Sequence, residues 1–211
     1  LHGANGTPAE MRDLGNYLYS KGFTVFCPRM SRFDMKDRPV SWESWVTLTR
    51  DALNTTLEYT KKTMIVGLSF GATVALVLNN IQPVPAMALL APAIVPRLGL
   101  KGRFYALVRL AAPAVFYRYA GWNGEIARGM DSVRRGIGVI ETPALVLQAL
   151  DDRVLSTKGL KILRRRVKHA DSEVVVLPNG THALTRGKAK NEVFERVFQF
   201  AVKEKIIVPE E

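Results

Sequence analysis

Two rhythms of apolar and polar positions alternate along this chain. Short, nearly unbroken apolar runs occur at Phe23–Cys27, Thr63–Val66, Ala86–Leu90, Ala144–Gln148 and Glu173–Leu177. None contains proline. Unbroken apolarity over so short a span is how a strand covered on both faces of a parallel sheet reads. Between these runs, apolar residues recur at helical spacing. Thr7-Pro8-Ala9-Glu10 has the form of a capping box with proline at the first helical position. Met11, Leu14 and Leu18 continue it as a stripe, and Gly22 follows as a stop. A second helix starts at Ser41 and carries Trp42, Trp45, Val46, Leu53 and Leu57. A third begins just after Ser69, and a fourth runs from about Ser156 to Val167 with Leu160, Leu163 and Val167 on one side. The last spans about Lys188 to Lys203, with Val193, Phe194, Val197 and Phe198. Strands alternating with helices predict right-handed crossovers and an α/β fold. Its sheet is doubly wound and mostly parallel, with helices on both faces.

One segment breaks this alternation. From about 92 to 142 no strand is evident, and Phe104, Tyr105, Leu107, Val108, Phe116, Tyr117, Tyr119 and Trp122 lie among arginines. This aromatic content exceeds what an idle surface loop needs, so a small helical lid over a pocket is expected. A helical excursion packed on the domain is the simpler alternative. No internal repeat, low-complexity tract or interdomain linker is visible. The 211 residues therefore read as one domain, 1–211, with an insertion.

Composition narrows the picture in a few places. No apolar run is long enough to cross a bilayer, and the first residues lack the pattern of a secretory signal. Cys27 is the only cysteine, so no intrachain disulfide can form. It reads as a small buried hydrophobe, and a cytoplasmic location is the default expectation. The net charge of +11 could serve a polyanion or an anionic surface. However, the basic residues are dispersed, and no nucleic-acid module accompanies them. A solvated basic surface without a nucleic-acid partner is the reading adopted. Arg164-Arg165-Arg166-Val167-Lys168 is a local exception, on a helix that points its members in different directions.

The chemistry concentrates at strand ends. Gly67-Leu68-Ser69-Phe70-Gly71 is a G-x-S-x-G sequence. The strand Thr63–Val66 runs into it and a small-residue helix leaves it, the setting that lifts a serine hydroxyl above a sheet. A hydroxyl needs a base to become a nucleophile. Of the three histidines, His2 opens the chain and His169 lies in a polar stretch ending a helix. His182 follows the last strand in Pro178-Asn179-Gly180-Thr181-His182-Ala183-Leu184, and such strand-end loops collect active-site groups. A carboxylate is expected between serine and histidine in chain order. Asp151 and Asp152 compete for that place. Val154, a hydrophobic residue two positions after the acid, favours Asp152, while Asp151 remains the alternative or a cap for the turn. Asp152 would orient the imidazole and stabilise its cation. Backbone donors for an oxyanion are expected on Phe70, after the nucleophile, and on Ala4 in the glycine-rich His2-Gly3-Ala4-Asn5-Gly6. His2 is then a loop-shaping residue.

These pieces, in this order and over nearly the whole chain, resemble the alpha/beta-hydrolase superfamily. The similarity is to its small microbial carboxylesterases and monoacylglycerol lipases. It rests on His2–Gly6, the turn at Ser69, Gln148–Val154 and Asn179–Leu184, with Val40–Val46 matching a common helix entry. The resemblance implies hydrolysis of a small-molecule ester through an acyl-enzyme, with Ser69, Asp152 and His182 as catalytic residues and no cofactor or metal. Phe104, Phe116 and Tyr119 would line the lid and pocket. Thioesterase or acyltransferase chemistry would use the same residues, and a silent ligand-binding protein is the alternative of another class. Two departures are visible. Many relatives carry a Gly-His-Gly-like turn where this chain has Pro28-Arg29-Met30-Ser31-Arg32-Phe33-Asp34. Relatives also place a central strand immediately before the oxyanion loop, which here starts at the first residues. The N-terminal strands are thus expected to be missing from the sequence, or their place to be filled otherwise, because an empty gap would strand two rows of backbone groups.

Overall fold

The computed structural model describes residues 1–60, 62–97, 99, 106–107, 109–114, 116 and 120–207. Four parallel strands form one sheet in the order β1-β2-β3-β4. They are β1 (Met64–Leu68), β2 (Ala86–Leu90), β3 (Ala144–Ala149) and β4 (Glu173–Leu177). Helices α1 (Arg12–Ser20) and α2 (Trp42–Tyr59) precede the sheet in the chain. α3 (Phe70–Ile81), α4 (Gly121–Gly136) and α5 (Lys158–Arg166) make the three crossovers, and α6 (Lys190–Lys203) ends the fold.

Each strand feeds two cores. Met87, Leu89 and Val146 face a cluster built with Trp45 of α2, Phe70 and Val74 of α3, Trp122 and Val133 of α4, and Leu160 and Leu163 of α5. Ala86, Ala88, Leu90, Leu145 and Leu147 face the opposite cluster, with Leu14 and Leu18 of α1 and Val193 and Val197 of α6. This double coverage explains why the strands read as continuous apolar runs. At the amino ends of the strands a polar clamp joins neighbouring segments. The buried Asn79 Oδ1 accepts from the Val84 N–H at 3.1 Å and from the Thr142 hydroxyl at 2.8 Å.

Three expectations are corrected. Phe23–Cys27 is not a strand; Val25 and Phe26 are 43% and 62% exposed. β1 ends the strand order, and Leu1 makes backbone hydrogen bonds to it. The Leu1 amino group donates to the Val66 carbonyl at 2.6 Å, and the Leu68 N–H donates to the Leu1 carbonyl at 3.0 Å. An apolar run becomes a strand only where a ladder is offered, and among the described residues this one pairs with none. The capping box is not formed either. Thr7 precedes a short 3₁₀ turn, Pro8–Met11, without a side-chain cap, and Glu10 reaches Gly3 instead. Cys27 is half-buried rather than enclosed. Among the described residues, the excursion between β2 and β3 is helical at 106–107, 109–111, 113–114, 116 and 121–136, and non-helical at 91–97 and 137–143. Its second half, α4, belongs to the core, with Trp122, Met130 and Val133 buried. Gly22 does stop α1, at φ 90°. No described helix is long and apolar enough to cross a membrane.

Candidate active site

Ser69 joins β1 to α3 with φ 55° and ψ −116°, a strained conformation for a residue with a Cβ. Its surroundings hold it there. The Ser69 N–H donates to the Leu90 carbonyl at 2.8 Å, and its carbonyl accepts from the Ala72 and Ala93 amides at 3.1 Å each. The flanking glycines are required by contact. A Cβ on Gly67 would lie 2.6 Å from the Ala72 nitrogen, and one on Gly71 would lie 2.6 Å from the His2 carbonyl oxygen. Gly71→Ala must therefore push backbone against backbone. It is expected to lower stability by about 1–3 kcal/mol, read as an earlier urea midpoint. A variant as stable as the parent would contradict the close approach.

His182 stands in the loop after β4, and Asp152 in the loop after β3. His182 Nε2 lies 2.9 Å from Ser69 Oγ, and His182 Nδ1 lies 2.9 Å from Asp152 Oδ2. A carboxylate facing Nδ1 keeps the ring proton there and leaves the Nε2 lone pair toward the hydroxyl. Asp152 is fully buried, whereas Asp151 is exposed, so the two competing aspartates separate cleanly. Asp152 Oδ1 accepts from the Val154 and Leu155 amides at 2.8 Å each. Burial alone would raise the carboxyl pKa. The His182 hydrogen bond, the Leu155 amide, the His182 charge and the Val154 amide outweigh it and hold the carboxyl below its ordinary range. A depressed carboxyl adds stability above its unfolded-state pKa, and that stability is lost as pH falls through the lower folded-state value.

The loop of residues 2–6 runs over the serine: a Cβ on Gly3 would sit 3.5 Å from Ser69 Cβ. The Gly3 N–H is taken by Glu10 Oε2 at 2.8 Å. The Gly3 carbonyl accepts from the Gly6 N–H at 3.0 Å and from His2 Nδ1 at 2.8 Å. The Ala4 N–H has no acceptor among the described residues, and the Phe70 N–H lies in the first turn of α3, where amides lack an intrahelical partner. His2 is fully buried, its Nε2 accepting from the Met30 N–H at 3.0 Å and its ring set edge-on to Trp45. Both its nitrogens are engaged, and burial lowers its pKa. It shapes the loop, as the sequence suggests. His169 is elsewhere, accepting from the Asp171 N–H.

Of the expected lid residues, Phe104 and Tyr119 lie outside the described residues. Phe116 is half-buried in a short helical stretch, its amide donating to the Ala112 carbonyl at 3.0 Å. Three contributors escape sequence reasoning. Gln148, a lone polar residue in a buried strand, places Nε2 3.4 Å from Asp152 Oδ2. Glu10 restrains the glycine-rich loop, and Trp122 donates to its Ala4 carbonyl. Gln148 carried a visible signal in its position; the other two are non-local. Among the described residues, no cluster of three or more His, Cys, Asp or Glu is disposed to hold a metal ion.

A parallel sheet with helices on both faces, bearing serine, aspartate and histidine on three strand-end loops in that chain order, has the architecture of the alpha/beta-hydrolase fold. Comparison with known proteins places the chain beside the lipases and esterases of that superfamily. It is 25% identical to the thermostable monoacylglycerol lipase of Bacillus sp. strain H-257, over 96% of this chain and 89% of the relative. It is 23% identical to a carboxylesterase of Bacillus subtilis strain 168, over 96% and 91%. The monoacylglycerol lipase of Paleococcus ferrophilus superposes with a TM-score of 0.77 at 16% identity, over 97% of this chain and 93% of that one. A structure from the metagenome-derived lipolytic enzymes LipS and LipT gives 0.79 at 18%, over 96% and 91%. No family model matches the chain.

Proposed function

We propose that this chain is a serine hydrolase that cleaves carboxylic esters of short or medium acyl chains, monoacylglycerols included, through an acyl-enzyme. The observation that carries the proposal is the line from Ser69 Oγ to His182 Nε2 and from His182 Nδ1 to Asp152 Oδ2, each step 2.9 Å. In this reading Ser69 Oγ attacks the ester carbonyl while its proton passes to His182 Nε2. Asp152 stabilises the imidazolium without taking its proton. The Ala4 and Phe70 amides receive the oxyanion, each donor supplying roughly 3–4 kcal/mol of transition-state stabilisation. Collapse expels the alkoxide, which takes the proton from His182. Water then repeats the sequence on the acylated Ser69 and releases the acid. The names of the curated relatives, a monoacylglycerol lipase and a carboxylesterase, support the substrate class.

A panel of nitrophenyl esters of increasing acyl length, run beside a coenzyme A thioester, tests the proposal. Turnover of the esters is expected. A preference for the thioester would reassign the chemistry to a thioesterase, and no turnover of either would remove the hydrolase reading. The segment at about 92–142 is proposed to shape the acyl pocket. Phe116→Ala is therefore expected to shift the preferred acyl length more than it changes kcat on the shortest ester. An unchanged length profile would take Phe116 out of the pocket.

A further inference from the structure

Trp122 stands at the second position of α4 and is buried to 6% exposure. Its indole Nε1–H donates to the Ala4 carbonyl at 3.2 Å, across a separation of 118 residues. Its ring centroid lies 6.0 Å from that of Phe70, edge-on at 85°, and 5.0 Å from that of Trp45. One side chain thus touches both residues whose amides are proposed to bind the oxyanion. From these contacts we infer that Trp122 is a positioning residue for the oxyanion site, tying the geometry of that site to α4. The inference rests on the hydrolase reading above.

The argument turns on the two peptide planes that flank the Ala4 α-carbon. The plane before it, Gly3–Ala4, carries the amide that would donate to the oxyanion. Its carbonyl is held within the loop by Gly6 and His2. The plane after it, Ala4–Asn5, is held by Trp122. Glycines at positions 3 and 6 give this loop backbone freedom that a productive donor cannot tolerate, so the second anchor matters. The anchor is itself rigid. Glu125 Oε2, on the same helix, accepts from the Trp42 N–H at 3.1 Å. Gly129 is packed so closely that a Cβ there would lie 2.7 Å from the Phe70 ring. A preorganised donor pays no reorganisation as charge develops, so loss of the anchor should appear in the transition state and not in ground-state binding.

Trp122→Phe tests this directly, because it keeps a buried aromatic ring and removes the N–H. On a short nitrophenyl ester kcat is expected to fall by about tenfold or more, with little change in KM. Affinity for a trifluoromethyl ketone, whose hemiketal with Ser69 bears an oxyanion, is expected to fall by the same factor. Benzothienylalanine in place of Trp122 deletes the N–H while keeping a bicyclic ring of nearly the same shape, and must give the same split even if the phenylalanine variant folds poorly. Unchanged kcat and ketone affinity in a folded variant would overturn the inference, as would a loss confined to KM. If the parent chain turned over no ester, the hydrolase reading would fall first. If the parent is active and the variants match it, only the role of Trp122 falls.

Discussion

Replacing Ser69 by alanine is expected to lower ester turnover by about six orders of magnitude, the loss typical when a serine nucleophile is deleted from an assembled triad. The measurement is kcat on a nitrophenyl ester, paired with covalent labelling by a fluorophosphonate probe. The parent should label at position 69 and the variant should not label at all. The change is mild for the fold. Alanine keeps the Cβ that the turn already accommodates at φ 55°, and only the Oγ bond to His182 is lost. The variant should therefore melt near the parent temperature, which separates lost chemistry from lost structure. Labelling of a different serine would refute the assignment of the nucleophile.

Asp152→Asn is expected to lower kcat by about 10⁴ while leaving the loop intact. The reason lies in how its two oxygens divide their partners. The Asn carbonyl oxygen can keep the Val154 and Leu155 amide bonds made by Oδ1. The amide nitrogen must then sit where Oδ2 faces His182 Nδ1, and there it offers a hydrogen instead of accepting one. The imidazole is pushed to the wrong tautomer, with its proton toward Ser69. The same nitrogen also confronts the donor Gln148 Nε2. Asp151→Asn is the control. That residue is exposed, and its loss should leave kcat near the parent value. If the large effect followed Asp151 instead, the acid would be misassigned by one position.

The parts of this fold readable from sequence share one property: their signal is local. β2 is found over Ala86–Leu90, the residues expected, because covering both faces leaves no polar position to blur the run. The turn at Ser69 is readable through its local pattern: Gly67 answers a contact with the nearby Ala72 backbone, whereas Gly71 meets the distant Leu1 and His2 backbone. Phe23–Cys27 has the same apolar signature and is not a strand, since strand formation depends on a partner that the run itself cannot encode. Glu10 matched a local capping rule, yet bonds to Gly3 across the start of the chain. Trp122 was visible only as one aromatic among several. Its placement beside Ala4 and Phe70 comes from α4 packing on α3, which no spacing within 92–142 reveals.

The clamp of Asn79, Val84 and Thr142 sits at the amino ends of β2 and β3, while Ser69, Asp152 and His182 lie on loops at the carboxyl ends of their strands. On the hydrolase reading proposed above, the molecule divides its labour along the strand axis, with the buried clamp at one pole and the reacting groups at the other. An engineer seeking a hardier catalyst can rebuild the first pole and leave the second untouched. One seeking a new substrate can graft loops onto the second while the clamp keeps the scaffold in one piece.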